Sequence, residues 1–116
     1  MRAKNFIPFR ASKYDNKTCT VDGITFHSRR EADYYGQLKM EKRARPALIK
    51  DFERQVCFEL RVNGELICKH YVDFLITKLD GSYEVREVKG FATDVWQLKR
   101  KLFEAIYPEI PYRVVK

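Results

Sequence analysis

Asp73, Glu87 and Lys89 are the residues of this 116-residue chain whose types and spacing suit joint chemistry. They stand in Tyr71-Val72-Asp73-Phe74 and in Glu87-Val88-Lys89. Side chains two apart on a strand share a face, so Glu87 and Lys89 point one way and Val88 the other. Asp73 lies midway along an apolar segment. Two carboxylates and an ammonium among Val, Phe, Leu and Ile are costly to bury without a partner or a task. The task that fits them is hydrolysis of a phosphodiester. Two acidic oxygens with a backbone carbonyl, that of Val88, form a hard oxygen site for Mg²⁺ or Mn²⁺. Such an ion polarises a phosphate and acidifies a water. Lys89 then positions the water or stabilises the developing negative charge.

The elements that must position these residues can be read from periodicity and turn chemistry. Residues 1–17 carry Arg2, Lys4, Arg10, Lys13 and Lys17 without a period and read as a basic arm. Residues 18–116 read as a single domain. Asp22-Gly23 is the turn of a short hairpin over residues 18–27. Ser28-Arg29-Arg30-Glu31 is a capping box that opens a helix running to about Arg43, with Pro46 beyond its end. Val56, Phe58, Leu60 and Val62 alternate along a strand over residues 54–62 and predict one buried face. Asn63-Gly64 turns the chain into a strand over residues 66–77, and Asp80-Gly81 into another over residues 82–89. Thr93 or Asp94 caps a second helix whose predicted apolar stripe is Val95, Leu98, Leu102, Phe103 and Ile106. Pro108 stops it, and residues 110–115 form a last strand. A helix between the third and last strands of this set allows those two to be parallel neighbours. The fold class is therefore α/β (α+β), a mixed sheet with flanking helices.

Register decides whether the acids meet. Asp73 faces Glu87 only if the hairpin midpoint falls on Asp80, as in a three-residue loop Leu79-Asp80-Gly81. A two-residue Asp80-Gly81 loop pairs Asp73 with Val88 and turns Glu87 to the other face.

The order helix, three strands, helix, strand, with Asp73 and then Glu87-Val88-Lys89, resembles the PD-(D/E)xK nuclease superfamily. The nearer likeness is to a small phage and prophage family of unassigned function, distantly similar to RecU-type Holliday-junction resolvases. It is carried by Val21-Asp22-Gly23-Ile24-x-Phe26-x-Ser28-x-x-Glu31, by Glu87-Val88-Lys89-Gly90-Phe91-x-Thr93, by Leu98-Lys99-x-Lys101-Leu102-Phe103 and by Tyr107-Pro108. The resemblance implies a restriction-endonuclease-like fold with an αβββαβ core. It implies Glu31, Asp73 and Glu87 as metal ligands, Lys89 as the catalytic lysine, and Lys99 or Lys101 as a phosphate contact. Val72 stands where the superfamily often has proline. A Mg²⁺- or Mn²⁺-dependent endodeoxyribonuclease for branched DNA is the expected activity, in phage or prophage DNA recombination within the bacterial cytoplasm. Two cuts at a junction imply a homodimer. A catalytically silent nucleic-acid-binding or phage interaction protein on the same fold is the alternative.

Composition agrees with a nucleic-acid partner without requiring one. Lys and Arg number 23 against 16 Asp and Glu, a net charge of +7, which suits a polyanion through counterion release. Arg29 and Arg30 beside the cap join the nucleic-acid candidates. Trp96 either stacks on a base or ribose or, the favoured reading, packs against the sheet. Lys99 shares a helix side with Trp96 and Phe103. Gln55 either orients a ligand or a water or simply occupies an edge. His70, three residues before Asp73, is predicted to point to the opposite face. Neither His27 nor His70 shows ligand spacing. Cys19, Cys57 and Cys68 lack disulfide or zinc spacing, and the two in strands read as buried thiols in a reducing compartment. No apolar run reaches transmembrane length, so no membrane is expected.

Overall fold

The computed structural model describes residues 18–116; the predicted basic arm, residues 1–17, lies outside them. The described residues divide into two compact units, the first ending at Gln37 and the second running from Leu38 to Lys116. Element order is β1 (Cys19–Val21), β2 (Ile24–Phe26), α1 (Arg29–Arg43), β3 (Asp51–Val62), β4 (Glu65–Thr77), β5 (Tyr83–Val88), α2 (Asp94–Ile106) and β6 (Tyr112–Val115). The mixed α/β class expected from the sequence is what forms. Among the described residues, no helix is long and apolar enough to cross a membrane.

In the first unit, β1 and β2 pair antiparallel. Asp22 and Gly23 turn the chain with φ of 54° and 76°, the left-handed pair that a tight hairpin needs. The Glu31 backbone N–H donates to Ser28 Oγ at 3.1 Å, which satisfies one orphan donor at the start of α1. The Tyr35 hydroxyl donates to Asp22 at 3.0 Å and so ties the hairpin to the helix.

In the second unit, four strands lie in the order β3-β4-β5-β6. The first three form an antiparallel meander, and β6 lies parallel to β5 after the α2 crossover. Asn63 and Gly64, at φ 52° and 82°, make the β3–β4 turn. The β4–β5 connection has the predicted three-residue loop. Gly81 N–H donates to Lys78 O, and Lys78 N–H to Ser82 O, closing Leu79-Asp80-Gly81 with Gly81 at φ 90°. The hairpin is thus centred on Asp80, and Phe74 faces Arg86 across it.

Leu60, Val72, Val85, Phe103 and Tyr112 form a buried cluster between the sheet and α2. Phe58 meets the Phe103 ring edge-on at 4.9 Å. Thr93 caps α2, accepting the Trp96 N–H at 3.1 Å. The predicted stripe is only half right. Phe103 is fully buried, but Val95 and Leu98 are 65% and 68% exposed. The face that packs is offset and runs through Trp96, Phe103, Ile106 and Tyr107. Two other expectations need correction. Val62 is exposed at the end of β3. Cys57 is exposed on the outward face, opposite Tyr71, and all three cysteines are free thiols.

Phe103→Ala is expected to destabilise the protein by about 3–5 kcal/mol, and Leu98→Ala by less than about 0.5 kcal/mol. Urea unfolding of the two variants checks the offset of the packed face.

Candidate active site

The β4–β5 ladder opens at Asp73. Regular pairing runs from Thr77↔Tyr83 to Phe74↔Arg86; the next pair in that register is Asp73 opposite Glu87. There the backbone bonds give way to bonds from side chains. The Asp73 N–H donates to Glu87 Oε2 at 3.2 Å. The Val88 N–H donates to Asp73 Oδ2 at 2.9 Å. Each acid therefore takes a backbone donor of the other's strand, so that both of these N–H groups are paired where the ladder opens.

The same point breaks the side-chain alternation. Residues directly opposite share a face, so Leu75 lies with its partner Val85. His70 stacks on Tyr112, the parallel neighbour of Val85, and so occupies that face too. Val72 follows His70 by two. Val72 and Leu75, three apart, thus share a face that strict alternation would deny them. On β3, the residue opposite Asp73 is Gln55, which drops out of the register and adopts φ 52°. A left-handed non-glycine residue inside a strand costs about 1 kcal/mol or more. Gln55 Nε2 donates to Asp73 Oδ1 at 3.3 Å.

This irregularity corrects the placement of His70. It lies on the face of the acids, not the opposite one, because alternation fails between it and Asp73. His70 Nε2 and the Tyr112 hydroxyl are 2.8 Å apart, and that hydroxyl donates to Glu87 Oε1 at 2.5 Å. Tyr112 holds Glu87 and His70 holds Tyr112. With the Tyr112 proton committed to Glu87, the His70 Nε2–H is the donor to the Tyr112 oxygen. The spacing of residues 70, 87 and 112 in the sequence carries no signal of this chain.

Burial and charge set the protonation. Glu87 is 4% exposed. Burial first, and then the charge of Asp73, push its carboxyl up to about 8. Burial, reinforced by the nearby Lys99 and Lys89, lowers His70 to about 4, so it is neutral. Burial and the Glu87 charge raise the Tyr112 phenol, which keeps its proton.

Lys89 continues the Glu87 face, its ammonium 5.1 Å from the centre of the Trp96 ring. Its backbone N–H donates to Val115 O, and Val85 N–H donates to Pro111 O. Alternate residues of β5 thus turn their backbone groups to β6, and Val88 turns its own towards β4, where Asp73 lies. Trp96 packs on the core cluster, as favoured. The Lys99 ammonium donates to Lys69 O at 3.1 Å, whereas Lys101 lines a cavity together with Lys89. Glu31, Arg29 and Arg30 belong to the first unit. Glu31 is buried, and Arg29 pairs with Asp33 at 3.5 Å on the surface. Among the described residues, no three His, Cys, Asp or Glu side chains gather into a cation site. In the second unit the groups that could hold a cation are the carboxylates of Asp73 and Glu87 with the Val88 carbonyl. Each carboxylate oxygen accepts one hydrogen bond and keeps lone-pair capacity for a further partner. Two adjacent acids, one of them resisting ionisation, are the chemistry that a hard cation relieves.

The shift of Glu87 has a sign that stability measurements can read. Its native pKa lies above the unfolded value of 4.5. The native state therefore holds the extra proton, and stability falls as pH rises from about 4.5 through about 8. His70, lowered from 6.5 to about 4, acts oppositely, adding stability as pH rises through that lower window. Between about 6.5 and 8 Glu87 is the shifted group among the described residues. In EDTA the melting temperature is expected to decline across that interval. Glu87→Gln should abolish the decline and leave the variant about 5 °C or more above the parent at pH 8. Parallel slopes in thermal denaturation of the two proteins would contradict the assignment.

No curated protein and no solved structure matches the chain. A family model does match, over residues 11–116. The chain belongs to the family described as protein of unknown function (DUF1064).

Proposed function

We propose that the chain is a metal-dependent endodeoxyribonuclease of structure-selective, resolvase-like kind. The observation that carries this reading is the opened ladder at Asp73, where a half-buried and a buried carboxylate hold each other's strands and Lys89 follows on the same face. A purely structural acid pair there would be a liability, because neither acid forms an ion pair with a cation among the described residues. Asp73, Glu87 and the Val88 carbonyl would hold a Mg²⁺ or Mn²⁺ ion, which supplies charge neutralisation and an acidic water when bound.

The chain's own residues do the rest. Gln55 and the Val88 N–H fix the Asp73 carboxylate by one bond to each oxygen. Tyr112 and the Asp73 N–H fix that of Glu87 in the same way. Lys89, on a flexible stem, brings positive charge to the phosphate as negative charge develops. Lys101 supplies a further phosphate contact from α2. Glu31 is the remaining candidate ligand, resting on the resemblance alone. Paired cuts at a junction call for two copies acting together. Phage or prophage DNA processing in the bacterial cytoplasm is the setting that fits.

The test is cleavage of branched, flapped, single-stranded and linear duplex DNA with Mg²⁺, Mn²⁺ or EDTA. Cutting is expected only with metal, to vanish in Asp73→Asn and Lys89→Ala, and to be fastest on branched or flapped DNA. Tyr112→Phe keeps the ring but loses the proton that holds Glu87, and should slow cleavage roughly 10- to 100-fold. Binding without cutting under every condition would favour a silent nucleic-acid-binding module. Neither binding nor cutting would favour an interaction protein.

A further inference from the structure

Beside the acids lies a cavity of about 500 Å³, walled by the Lys89–Ala92 stretch, by α2 and by the end of β6. Its lining carries four cations, Lys89, Arg100, Lys101 and Lys116, against one acid, Glu104. It also carries two aromatic residues. Trp96 forms part of the wall on the core side. Phe91 is 80% exposed and takes no part in the core cluster, so packing gives no reason for a ring there. Trp96 Nε1 has no hydrogen-bond partner among the described residues, although buried donors ordinarily find one, while Arg100 pairs with Glu104 at 3.6 Å and donates to Tyr112 O at 3.4 Å.

We propose that this cavity holds one unpaired nucleotide of a DNA strand, next to the phosphate that the acids act on. The assignment deepens the nuclease reading above and rests on it for that last position. Phe91 is the stacking platform for the base, since every base offers a π-face. Lys101 and Arg100 meet the flanking phosphate. Lys89 lines the cavity and follows Glu87 by two residues along the chain, which sets the occupant beside the reacting bond. A base inside a duplex is stacked on both faces and paired along its edge, so it enters only after unpairing. The pocket therefore favours flaps, branch points and frayed ends over continuous duplex.

Trp96 is the only tryptophan in the sequence, so its fluorescence reports on this cavity alone. The full chain in EDTA, at fixed salt, is titrated with thymidine monophosphate, with an eight-nucleotide oligothymidylate and with a blunt hairpin duplex. EDTA removes cleavage from the measurement. The oligothymidylate is expected to change the Trp96 emission and to bind at least about tenfold more tightly than the blunt duplex. The mononucleotide should give the same spectral change at much higher concentration. Phe91→Ala and Lys101→Glu alter exposed residues, so circular dichroism and melting should match the parent, while each weakens oligothymidylate binding about tenfold. Equal affinity for both strands, an unchanged emission, or unchanged affinity in both variants would overturn the proposal. Cleavage without the emission change sinks the pocket and leaves the nuclease reading standing. The emission change without metal-dependent cleavage does the reverse.

Discussion

The structure turns on a reciprocal exchange between two strands. At one position β4 and β5 stop bonding backbone to backbone and bond carboxylate to backbone instead: Asp73 takes the Val88 N–H, and Glu87 takes the Asp73 N–H. Buried amides must be paired, so a ladder can open inside a sheet only if other acceptors arrive. The two acids are those acceptors. They are thereby held close together, at a depth where their charges repel with little screening. The neighbouring irregularities follow from this. Gln55 leaves the β3 register, adopts a left-handed backbone and turns its amide to Asp73. Tyr112 lends its hydroxyl proton to Glu87, and His70, kept neutral by burial, supports Tyr112.

Charge elsewhere in the sheet is arranged differently. Arg86, between Val85 and Glu87 on β5, faces away from the acid pair and meets Glu41 at 3.2 Å and Glu84 at 3.1 Å. That buried cation is answered by two carboxylates. On the other face, burial and the Asp73 charge leave Glu87 reluctant to ionise. One strand thus carries a satisfied ion cluster on one side and a strained acid pair on the other. A fold selected for stability alone would favour apolar side chains of similar volume at the second place. The acid pair at that place is the feature on which the proposed cation site rests.

Much of this was legible in the sequence because it rests on local rules. Asp22-Gly23, Asn63-Gly64 and Gly81 need left-handed backbone, and the turns formed where those residues stand. Ser28 and Thr93 signalled their helix starts through their hydroxyls. The three-residue loop centred on Asp80 followed from asking which register brings two acids together. What failed had non-local causes. His70 was misplaced because alternation holds only in a regular strand, and the unpaired step at Asp73 and Gln55 has no compositional mark. Tyr112 reaches Glu87 only because β6 returns parallel to β5, a partnership that links residues far apart in the chain. The α2 stripe was right at Leu102, Phe103 and Ile106 and failed at Val95 and Leu98, because the face that packs is set by the rings around Phe103.

The central claim is that Asp73 and Glu87 are held together to take a divalent cation. Crystals of the protein soaked in Mn²⁺ at pH 8, with data collected near the manganese edge, test it most directly. The account requires an anomalous peak within direct coordination distance, about 2.0–2.3 Å, of oxygens from both carboxylates, and its loss in crystals of Asp73→Asn. A well-occupied manganese peak elsewhere, with none between residues 73 and 87, would contradict it.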